Sequence, residues 1–598
     1  MASGAAVTSA VTGPPDAGGG SSRRDRRRGR RGRGVWWTLG IIAIVGLAYA
    51  LVARALYHSP GSAMEEGFVL VFPDRLLHGD LPNRDFLNLY GPGSIWVLAL
   101  IYKVFGFTVF VERTVGLLQL IGTTVAVCLL VRWWGRSVVL TAGLLSVAFG
   151  APAVGLTAVP WAGGVAFAGF GLLALQQARR RAADGAGGGG AWALSAGVLF
   201  GAALLYRLDL VVAVVLGAVV LVWGAGRRIQ GRFAWGVAIG LVPYAIHAAL
   251  AGPGAVWQGM VVEPMLYLRA GRHLDVPPDP SHLVGVARVI VAVDRPWPFP
   301  RLTPPQQLFA WFVLLVVATL FVVAVGIWAV RRDRAALRGR FLLSAGLFAA
   351  GLLPQAVQRS DSAHLGWVSS VAIALVPAAV VEIASRRRAR ADGDAVAVDA
   401  SGASDVYAPR RTRWVGIVTC VITMLVVVFL LPTYVARRYQ SLVQDSVDGT
   451  TLSVDVRHDG RAFPVGVDGT FAGSVEKLLH AVDRNSRPGD RVIVGTGDLR
   501  KTPYIDSFLY YLLPKLRPGT RFIEMEPGIT NRKGTKLTDE LRHADLVIVS
   551  KRWDHWDEPN DSMKPGDPAP AQEFRDRFCK IGEYGDGFSL YKPCTPSG

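Results

Sequence analysis

The stretch SAMEEGFVLVFPDRLLHGDLPNRDF, residues 62–86, follows closely after a hydrophobic run at 35–57. Its five carboxylates are Glu65, Glu66, Asp74, Asp80 and Asp85. Because a run of about 20 apolar residues crosses the hydrocarbon core of a bilayer, these acids are expected just outside a membrane. A simple anchor would not need acids at that place, so the stretch indicates chemistry at the membrane surface.

The composition is that of a multi-pass membrane protein. The chain has 598 residues, of which 51% are hydrophobic, and its mean hydropathy is +0.34. The hydrophobic runs lie near 35–57, 113–134, 137–152, 160–178, 191–206, 208–225, 233–251, 308–330, 341–357, 364–384 and 413–434. We therefore predict an α-helical polytopic fold with about eleven transmembrane helices.

The charges of the connections predict the orientation of the chain. With a cytoplasmic N-terminus, the cytoplasmic connections are Arg-rich, whereas the opposite connections hold most of the acids, in agreement with the positive-inside rule. The net charge of +19 therefore reflects topology and does not indicate nucleic-acid binding. We predict a plasma (inner) membrane location in a bacterium with a GC-rich genome, a disordered basic tail at 1–34, and an extracytoplasmic position for everything after residue 434.

The predicted transmembrane domain, residues 35–434, contains a first outer loop at 58–112. Its apolar segment 94–106 has only 13 residues, which is too short to cross a bilayer. We therefore predict that 70–78 and 94–106 are two short helices lying along the outer surface of the membrane. The sequence YGPG at 90–93 predicts a sharp bend between them.

Residues 435–598 are predicted to form a soluble α/β domain. Strands that alternate with helices indicate a partly parallel sheet. The predicted strands are 491–497, 521–526 and 545–551, and the predicted helices are 507–516 and 536–544. Cys579 and Cys594 also lie in this domain, and an oxidising compartment would allow them to form a disulfide.

Glu65 and Glu66 are the first candidates for catalysis. A carboxylate at the membrane surface could remove a proton from an acceptor hydroxyl, and a second acid beside it would raise the pKa of one member of the pair. Asp85, beside Arg84, could assist the base or orient a substrate. The alternatives are two solvated loop acids and a local Arg84–Asp85 ion pair.

Two short outer connections supply candidates for binding an anion. Arg207 and Asp209 lie between two hydrophobic runs, and Arg359, Asp361 and His364 lie in the sequence QRSDSAH at 358–364. Charged groups at the end of a helix bundle are candidates for function, and an Arg side chain offers two parallel hydrogen bonds to phosphate oxygens. The alternatives are snorkelling side chains and a solvated loop.

The outer loop 252–307 offers weaker candidates. Its charged residues are Glu263, Arg269, Arg272, His273 and Asp275, and its aromatic residues include Trp257, Trp297 and Phe299. The aromatic residues could anchor the loop at the membrane interface or stack on a sugar ring. No spacing in the loop is typical of a zinc site.

Over residues 35–135 the chain resembles membrane glycosyltransferases of the GT-C superfamily, in the branch with protein O-mannosyltransferases and aminoarabinose transferases. The motifs that carry the resemblance are EEG at 65–67, GDLPNRDF at 79–86, GPG at 91–93, KVFG at 103–106 and Arg113. The sequence RSDSAH at 359–364 is similar to a substrate-loop motif of related bacterial members. The family's catalytic acid is usually an Asp at the first position of the acidic pair. That position is Glu65 here, which leaves Glu65 and Glu66 both open.

The resemblance implies transfer of a hexosyl or pentosyl group, with inversion, from a polyprenyl-phosphate donor on the outer face. We expect Glu65 to deprotonate the acceptor, Glu66 or Asp85 to assist, and Arg359 and Arg207 to hold the phosphate. Arg84, Asp209, Asp361 and His364 are expected to bind or orient substrate. The acceptor would be a cell-envelope glycan, lipid or protein. No cofactor is expected, with a divalent cation at the acidic pair left open. The rival functions are a transporter or lipid flippase and a non-catalytic scaffold.

Overall fold

The computed structural model describes residues 20–185, 187–277, 302–334, 336–391, 410–556 and 558–594. Within these ranges the membrane part consists of helices, whose bounds are Gly20–Tyr57, Glu65–Leu77, Pro92–Phe105, Val109–Leu130, Arg136–Val154, Pro160–Ala183, Gly189–Tyr206, Val211–Val222, Arg227–Ala251, Pro253–Trp257, Gln258–Leu268, Arg269–Arg272, Pro304–Arg332, Leu337–Gln358, Ser362–Ala372, Val376–Ala391, Arg410–Leu430, Pro432–Arg437 and Arg438–Asp448. Among the described residues, those from 48 onward form one compact unit, and residues 20–47 form another.

The fold is that of a polytopic α-helical membrane protein. In the described ranges seven helices are long and apolar enough to cross a membrane, or eight if the bent pair Trp414–Leu430 and Pro432–Asp448 is one span. Each of the eleven predicted spans lies on a helix. Two of the remaining three, Arg136–Pro152 and Leu208–Val222, are shorter apolar helices. The third, Pro160–Ala183, is rich in Ala and Gly, and most of its side chains are buried against neighbouring helices, which is typical of close helix packing in membranes.

The first outer loop forms two short helices, as predicted, but the first is longer than expected. It runs from Glu65 to Leu77, so the acidic pair occupies its first turn instead of preceding it. The position is favourable because negative side chains stabilise the N-terminal end of a helix. The second helix, Pro92–Phe105, begins at the predicted bend. A side chain at Gly91 would overlap the backbone of Leu205, so this bend requires glycine.

The predicted soluble domain contains a mixed sheet and a separate hairpin. The strands are β1 (Ser453–His458), β2 (Arg461–Gly466), β3 (Arg491–Thr496), β4 (Arg517–Pro518), β5 (Leu546–Ser550), β6 (Phe578–Tyr584) and β7 (Phe588–Pro593). The five-stranded sheet has the order β4-β3-β5-β7-β6, in which β3 is parallel to β4 and β5, and β7 is antiparallel to both of its neighbours. The helices are Gly469–Asn485, Phe508–Leu512, Leu537–Arg542 and Ala569–Arg577.

Two of the three predicted strands of this domain are present, and the third is not. Residues 521–526 contain no strand, although Phe522, Ile523 and Met525 are buried as expected. Glu524 and Glu526 are buried as well, and Glu526 forms a salt bridge with Arg272 of the membrane part. The two cysteines form the disulfide Cys579–Cys594, which joins β6 to the end of β7.

The C-terminal domain holds the first outer loop by backbone hydrogen bonds. Phe508 N donates to Ala63 O at 3.1 Å, and Gly61 N donates to Pro464 O at 2.7 Å. The close approach depends on Gly67, because a Cβ there would lie 2.5 Å from Phe508 N. The acidic pair therefore lies between the membrane helices and the C-terminal domain.

The predicted tail 1–34 is described only from residue 20. The backbone of Gly20–Tyr57 is one helix, so residues 20–34 are helical where we predicted disorder. Arg is a good helix former, which favours continuation of the first span into the Arg-rich run. Residues 1–19 lie outside the described residues, as do residues 392–409.

Candidate active site

A cavity of about 960 Å³ brings together most of the predicted site residues. Seven of the nine line it: Glu65, Glu66, Arg207, Asp209, Arg359, Asp361 and His364. They come from the first outer loop and from two connections that are distant in sequence. The convergence of these three segments in one cavity makes it the candidate active site.

Glu66 is locked in a buried ion pair with Arg113. Arg113 Nε donates to Glu66 Oε1 at 2.7 Å, and Nη2 donates to Oε2 at 2.9 Å. The side chains of Glu66 and Arg113 are only 1% and 4% exposed. Arg113 Nη1 also donates to Tyr57 O at 2.6 Å and to Ser59 O at 3.0 Å. Both oxygens of Glu66 are thus occupied, and the pair fixes the end of the first span against the outer loop.

Glu65 forms no such ion pair with the described residues, although the charges of Arg272 and Arg359 act on it. Its carboxylate accepts a hydrogen bond from Ser62 Oγ, and Ser62 Oγ lies 3.0 Å from Tyr504 Oη in the C-terminal domain. Burial raises the pKa of Glu65 above its ordinary value, while the Ser62 hydrogen bond opposes the rise. Of the acidic pair, Glu65 is therefore the member that is not fixed in a buried ion pair.

Arg359 is held by acids on two sides of the cavity. Its Nε donates to Asp361 Oδ2 at 3.1 Å, and its Nη2 contacts Glu558 of the C-terminal domain. Burial alone would lower the pKa of Arg359, but Glu558 and Asp361 outweigh burial and raise it. The guanidinium therefore stays charged within the cavity.

Asp361 organises the end of its helix. It caps Ser362–Ala372 by accepting from His364 N at 2.9 Å, and its Oδ1 lies 2.8 Å from His364 Nδ1. Although burial raises the pKa of Asp361, the interactions with His364 and Arg359 lower it below its usual range. Asp361 thus fixes both Arg359 and His364 in position.

Arg207 forms a forked ion pair with Asp209. Nε donates to Oδ1 at 3.0 Å and Nη2 to Oδ2 at 2.6 Å, and Nη2 also lies 3.2 Å from Gln355 Oε1. The guanidinium lies 5.6 Å from the ring centre of Tyr90. Arg207 is therefore oriented from three sides at the cavity wall.

Arg84 and Asp85 do not line the cavity. Arg84 Nη2 donates to Asp85 Oδ2 at 2.7 Å, and that same oxygen accepts from Leu81 N at 2.7 Å. Arg75 Nη2 donates to Asp85 O at 3.1 Å. The GDLPNRDF motif therefore closes on itself, and the structure places this pair in the framework of the loop.

Sequence reasoning missed several cavity residues because their positions depend on contacts between distant segments. They are Tyr90, Arg438, Thr502, Tyr504, Trp556 and Glu558. Arg438 Nε is buried and has no hydrogen-bond partner among the described residues. A buried N–H group without a partner at a cavity wall favours a ligand that accepts a hydrogen bond there.

The outer loop 252–307 contributes in part. Arg269, Arg272 and Asp275 line the cavity, and Arg272 Nε lies 2.6 Å from the buried Glu526 Oε2. Trp257 is 62% exposed, and it does not line the cavity. Trp297 and Phe299 lie outside the described residues.

Part of the cavity lining is apolar. Val211, Val212, Met265 and Leu268 line it, and the side chains of Val212 and Met265 are 47% and 56% exposed. Arginines and exposed apolar side chains thus border the same space. The arrangement suits an amphiphile with an anionic head.

Arg113 donates to both oxygens of Glu66, whereas Glu65 lines the cavity without a salt bridge among the described residues, so a divalent cation at the acidic pair stays a prediction. Among the described residues, His458, Asp459 and Asp483 lie close enough together to bind a cation. They do not line the cavity, and the Lys515 ammonium contacts Asp459. The positive charge of Lys515 opposes a cation there.

No family model and no curated protein matches the chain. Among solved structures it is similar to ArnT from Cupriavidus metallidurans bound to undecaprenyl phosphate, with 13% identity and a TM-score of 0.49 over 94% of this chain and 98% of that chain. The apo state of that ArnT gives a TM-score of 0.45 at 13% identity and the same coverage. The Archaeoglobus fulgidus oligosaccharyltransferase in the apo form covers 86% of this chain and 70% of its own, with 12% identity and a TM-score of 0.44.

Proposed function

We propose that the protein is an integral membrane glycosyltransferase that takes a sugar from a polyprenyl-phosphate donor and transfers it to an acceptor hydroxyl with inversion. The observation that carries the proposal is the convergence of Glu65, Arg207 and Arg359 in one cavity with an exposed apolar side. The reaction needs a base, a cationic phosphate site and access for a lipid chain. In this proposal Glu65 supplies the base, the two arginines supply the phosphate site, and the apolar lining supplies the access.

The donor follows from the amphiphilic lining. A polyprenyl chain would lie against Val212 and Met265, with its phosphate at the arginines. Arg359 and Arg207 are each oriented by carboxylates that hold the guanidinium in place. Preorganised cations of this kind stabilise charge that grows on a departing phosphate.

The base in this proposal is Glu65. Its pKa is raised by burial, and Ser62 is its hydrogen-bond donor. Glu66 is neutralised by Arg113, so it acts by positioning the loop. Asp85 and Arg84 take no part in the proposed chemistry, because both are outside the cavity lining.

The proposed reaction is a single displacement. Glu65 takes the proton of the acceptor hydroxyl, whose oxygen forms a bond to the anomeric carbon while the bond from that carbon to the phosphate oxygen breaks. The electron pair of the broken bond stays with the polyprenyl phosphate, which leaves with one more negative charge, beside Arg359. One displacement inverts the anomeric centre. Asp361 and His364 orient the substrates, and the acceptor is a glycan, lipid or protein of the cell envelope on the outer face of the plasma membrane.

The proposal is tested by sugar transfer from a panel of polyprenyl-phosphate hexoses and pentoses to cell-envelope acceptors, with the purified protein in lipid nanodiscs. We expect wild type to transfer one of these sugars, and Glu65→Gln to lose transfer while it still binds the donor. The matched control is Arg84→Gln, which changes an outer-loop charge beyond the cavity and is expected to keep transfer.

Two results would overturn the proposal. Full activity of Glu65→Gln would show that Glu65 is not the base. Movement of a labelled polyprenyl phosphate across the bilayer, without transfer from any donor, would identify a flippase instead.

A further inference from the structure

Three aromatic side chains of the C-terminal domain form a cluster at the cavity. The ring of Tyr504 stacks on that of Trp556, with centroids 5.3 Å apart, and both rings contact Trp553 edge-on at 4.8 and 5.4 Å. Tyr504 and Trp556 line the cavity, whereas Trp553 does not. Trp553 thus supports two rings that face the candidate active site from outside the membrane helices.

The cluster is connected to the proposed base by two hydrogen bonds. Tyr504 Oη lies 3.0 Å from Ser62 Oγ, and Ser62 Oγ donates to Glu65. Because the Ser62 proton is used toward Glu65, Tyr504 is the donor in the first of these bonds. A group resting against Tyr504 therefore lies beside the carboxylate that would deprotonate the acceptor.

Polar groups accompany the rings. Thr502 lines the cavity, is only 3% exposed, and its Oγ1 has no hydrogen-bond partner among the described residues. Glu558 also lines the cavity. A buried hydroxyl without a partner is costly, so it favours a ligand with hydrogen-bonding groups at this place.

We propose that Trp556 and Tyr504 hold a sugar ring of the acceptor, so that the acceptor is a carbohydrate. A sugar ring has a face of C–H groups that packs on an aromatic ring and a rim of hydroxyls that needs polar partners. The cluster offers both, with the unpartnered hydroxyl of Thr502 positioned for the rim. This inference rests on the proposed function and names its acceptor class. The aromatic cluster lies beside Ser62 and Glu65, where the acceptor hydroxyl has to enter.

The test compares wild type with Trp556→Ala, Trp556→Phe and Tyr584→Ala, all full-length and in nanodiscs. Tyr584 is an aromatic control in the same domain that does not line the cavity. The acceptors are defined trisaccharides of glucose, mannose, galactose and arabinose, with a serine-containing peptide as the competing class. Acceptor KM and donor KM are measured separately, and direct saccharide binding is followed by saturation-transfer NMR.

We expect Trp556→Ala to raise the saccharide KM about tenfold, with the donor KM unchanged and with Trp556→Phe and Tyr584→Ala within about twofold of wild type. Transfer only to the peptide, a saccharide KM that is equal in all variants, or a change confined to the donor KM would overturn the inference.

The two proposals fail in different ways. If water cleaves the donor but no saccharide binds, the proposed glycosyltransferase function would stand, and the proposal that Trp556 and Tyr504 bind the acceptor sugar would be wrong. If saccharide binding depends on Trp556 but no donor is cleaved, the sugar-binding proposal would stand, and the proposed transferase function would be wrong.

Discussion

Glu66 and Arg113 form a two-pronged ion pair, with N–O distances of 2.7 and 2.9 Å, that is almost completely buried. Glu66→Gln takes from the buried Arg113 the carboxylate that accepts two of its hydrogen bonds, so we expect it to destabilise the protein by about 3–5 kcal/mol. The measurement is thermal unfolding of the purified protein in nanodiscs.

The matched control for this pair is Glu65→Gln, which we expect to change stability by less than about 1 kcal/mol. The double variant Glu66→Gln/Arg113→Met is expected to recover part of the loss, because it removes the orphaned cation. If Glu65→Gln were the more destabilising of the two single variants, the division of roles within the pair would be wrong.

The pH dependence of transfer should report Glu65. Since burial raises its pKa above the ordinary value of 4.5, and the base must be deprotonated, kcat/KM should fall as pH drops through a value above 4.5. The Ser62 hydrogen bond lowers this pKa, so Ser62→Ala should move the acid limb to higher pH. Ser59→Ala is the control, because Ser59 lines the cavity but donates to Leu56 O. If the acid limb of the kcat/KM profile stayed at the same pH in Ser62→Ala, Glu65 would not be the group whose ionisation it reports.

The phosphate site can be tested by comparing two arginines of outer connections. Arg359→Gln removes a cavity cation, and we expect kcat/KM for the donor to fall about 10²–10³-fold. Arg84→Gln removes a cation that is 47% exposed and outside the cavity, and transfer should be nearly unchanged. Equal losses in the two variants would show that net charge matters and not the position of Arg359.

The disulfide Cys579–Cys594 closes a loop with a sequence separation of 15. A loop of this length is expected to stabilise the domain by about 3 kcal/mol, so Cys579→Ser/Cys594→Ser should increase proteolysis of the C-terminal domain. Donor binding at the membrane helices should persist. Protease resistance of the double variant equal to wild type, with and without reductant, would show that the bond contributes little.

The sequence predicts the helical membrane part well because hydrophobic runs are local signals, and each predicted span lies on a helix. Glu65, Arg207 and Arg359 were predictable for a similar reason, since each stands out at the end of an apolar segment. Their presence in one cavity depends on how those ends pack together.

The contribution of the C-terminal domain could not be predicted in the same way. Trp556 and Glu558 lie in a loop without a distinctive motif, and their role depends on contacts with residues about 200 to 500 positions earlier. Residues 521–526 were wrongly predicted as a strand, because alternating apolar residues resemble one, whereas Glu524 and Glu526 are buried beside the site. Arg113 was recognised as the start of a span, but its pairing with Glu66 required the structure.

The hydrogen bonds from Phe508 to Ala63 and from Gly61 to Pro464 also bear on the order in which the protein is made. Residues 61–67 are synthesised early, but their backbone partners are among the last 140 or so residues of the 598-residue chain. A nascent chain with only its membrane helices therefore lacks the partners that hold Glu65 in place. We therefore expect the candidate site to be complete, and the proposed activity to appear, only after the C-terminal domain has folded onto the loop.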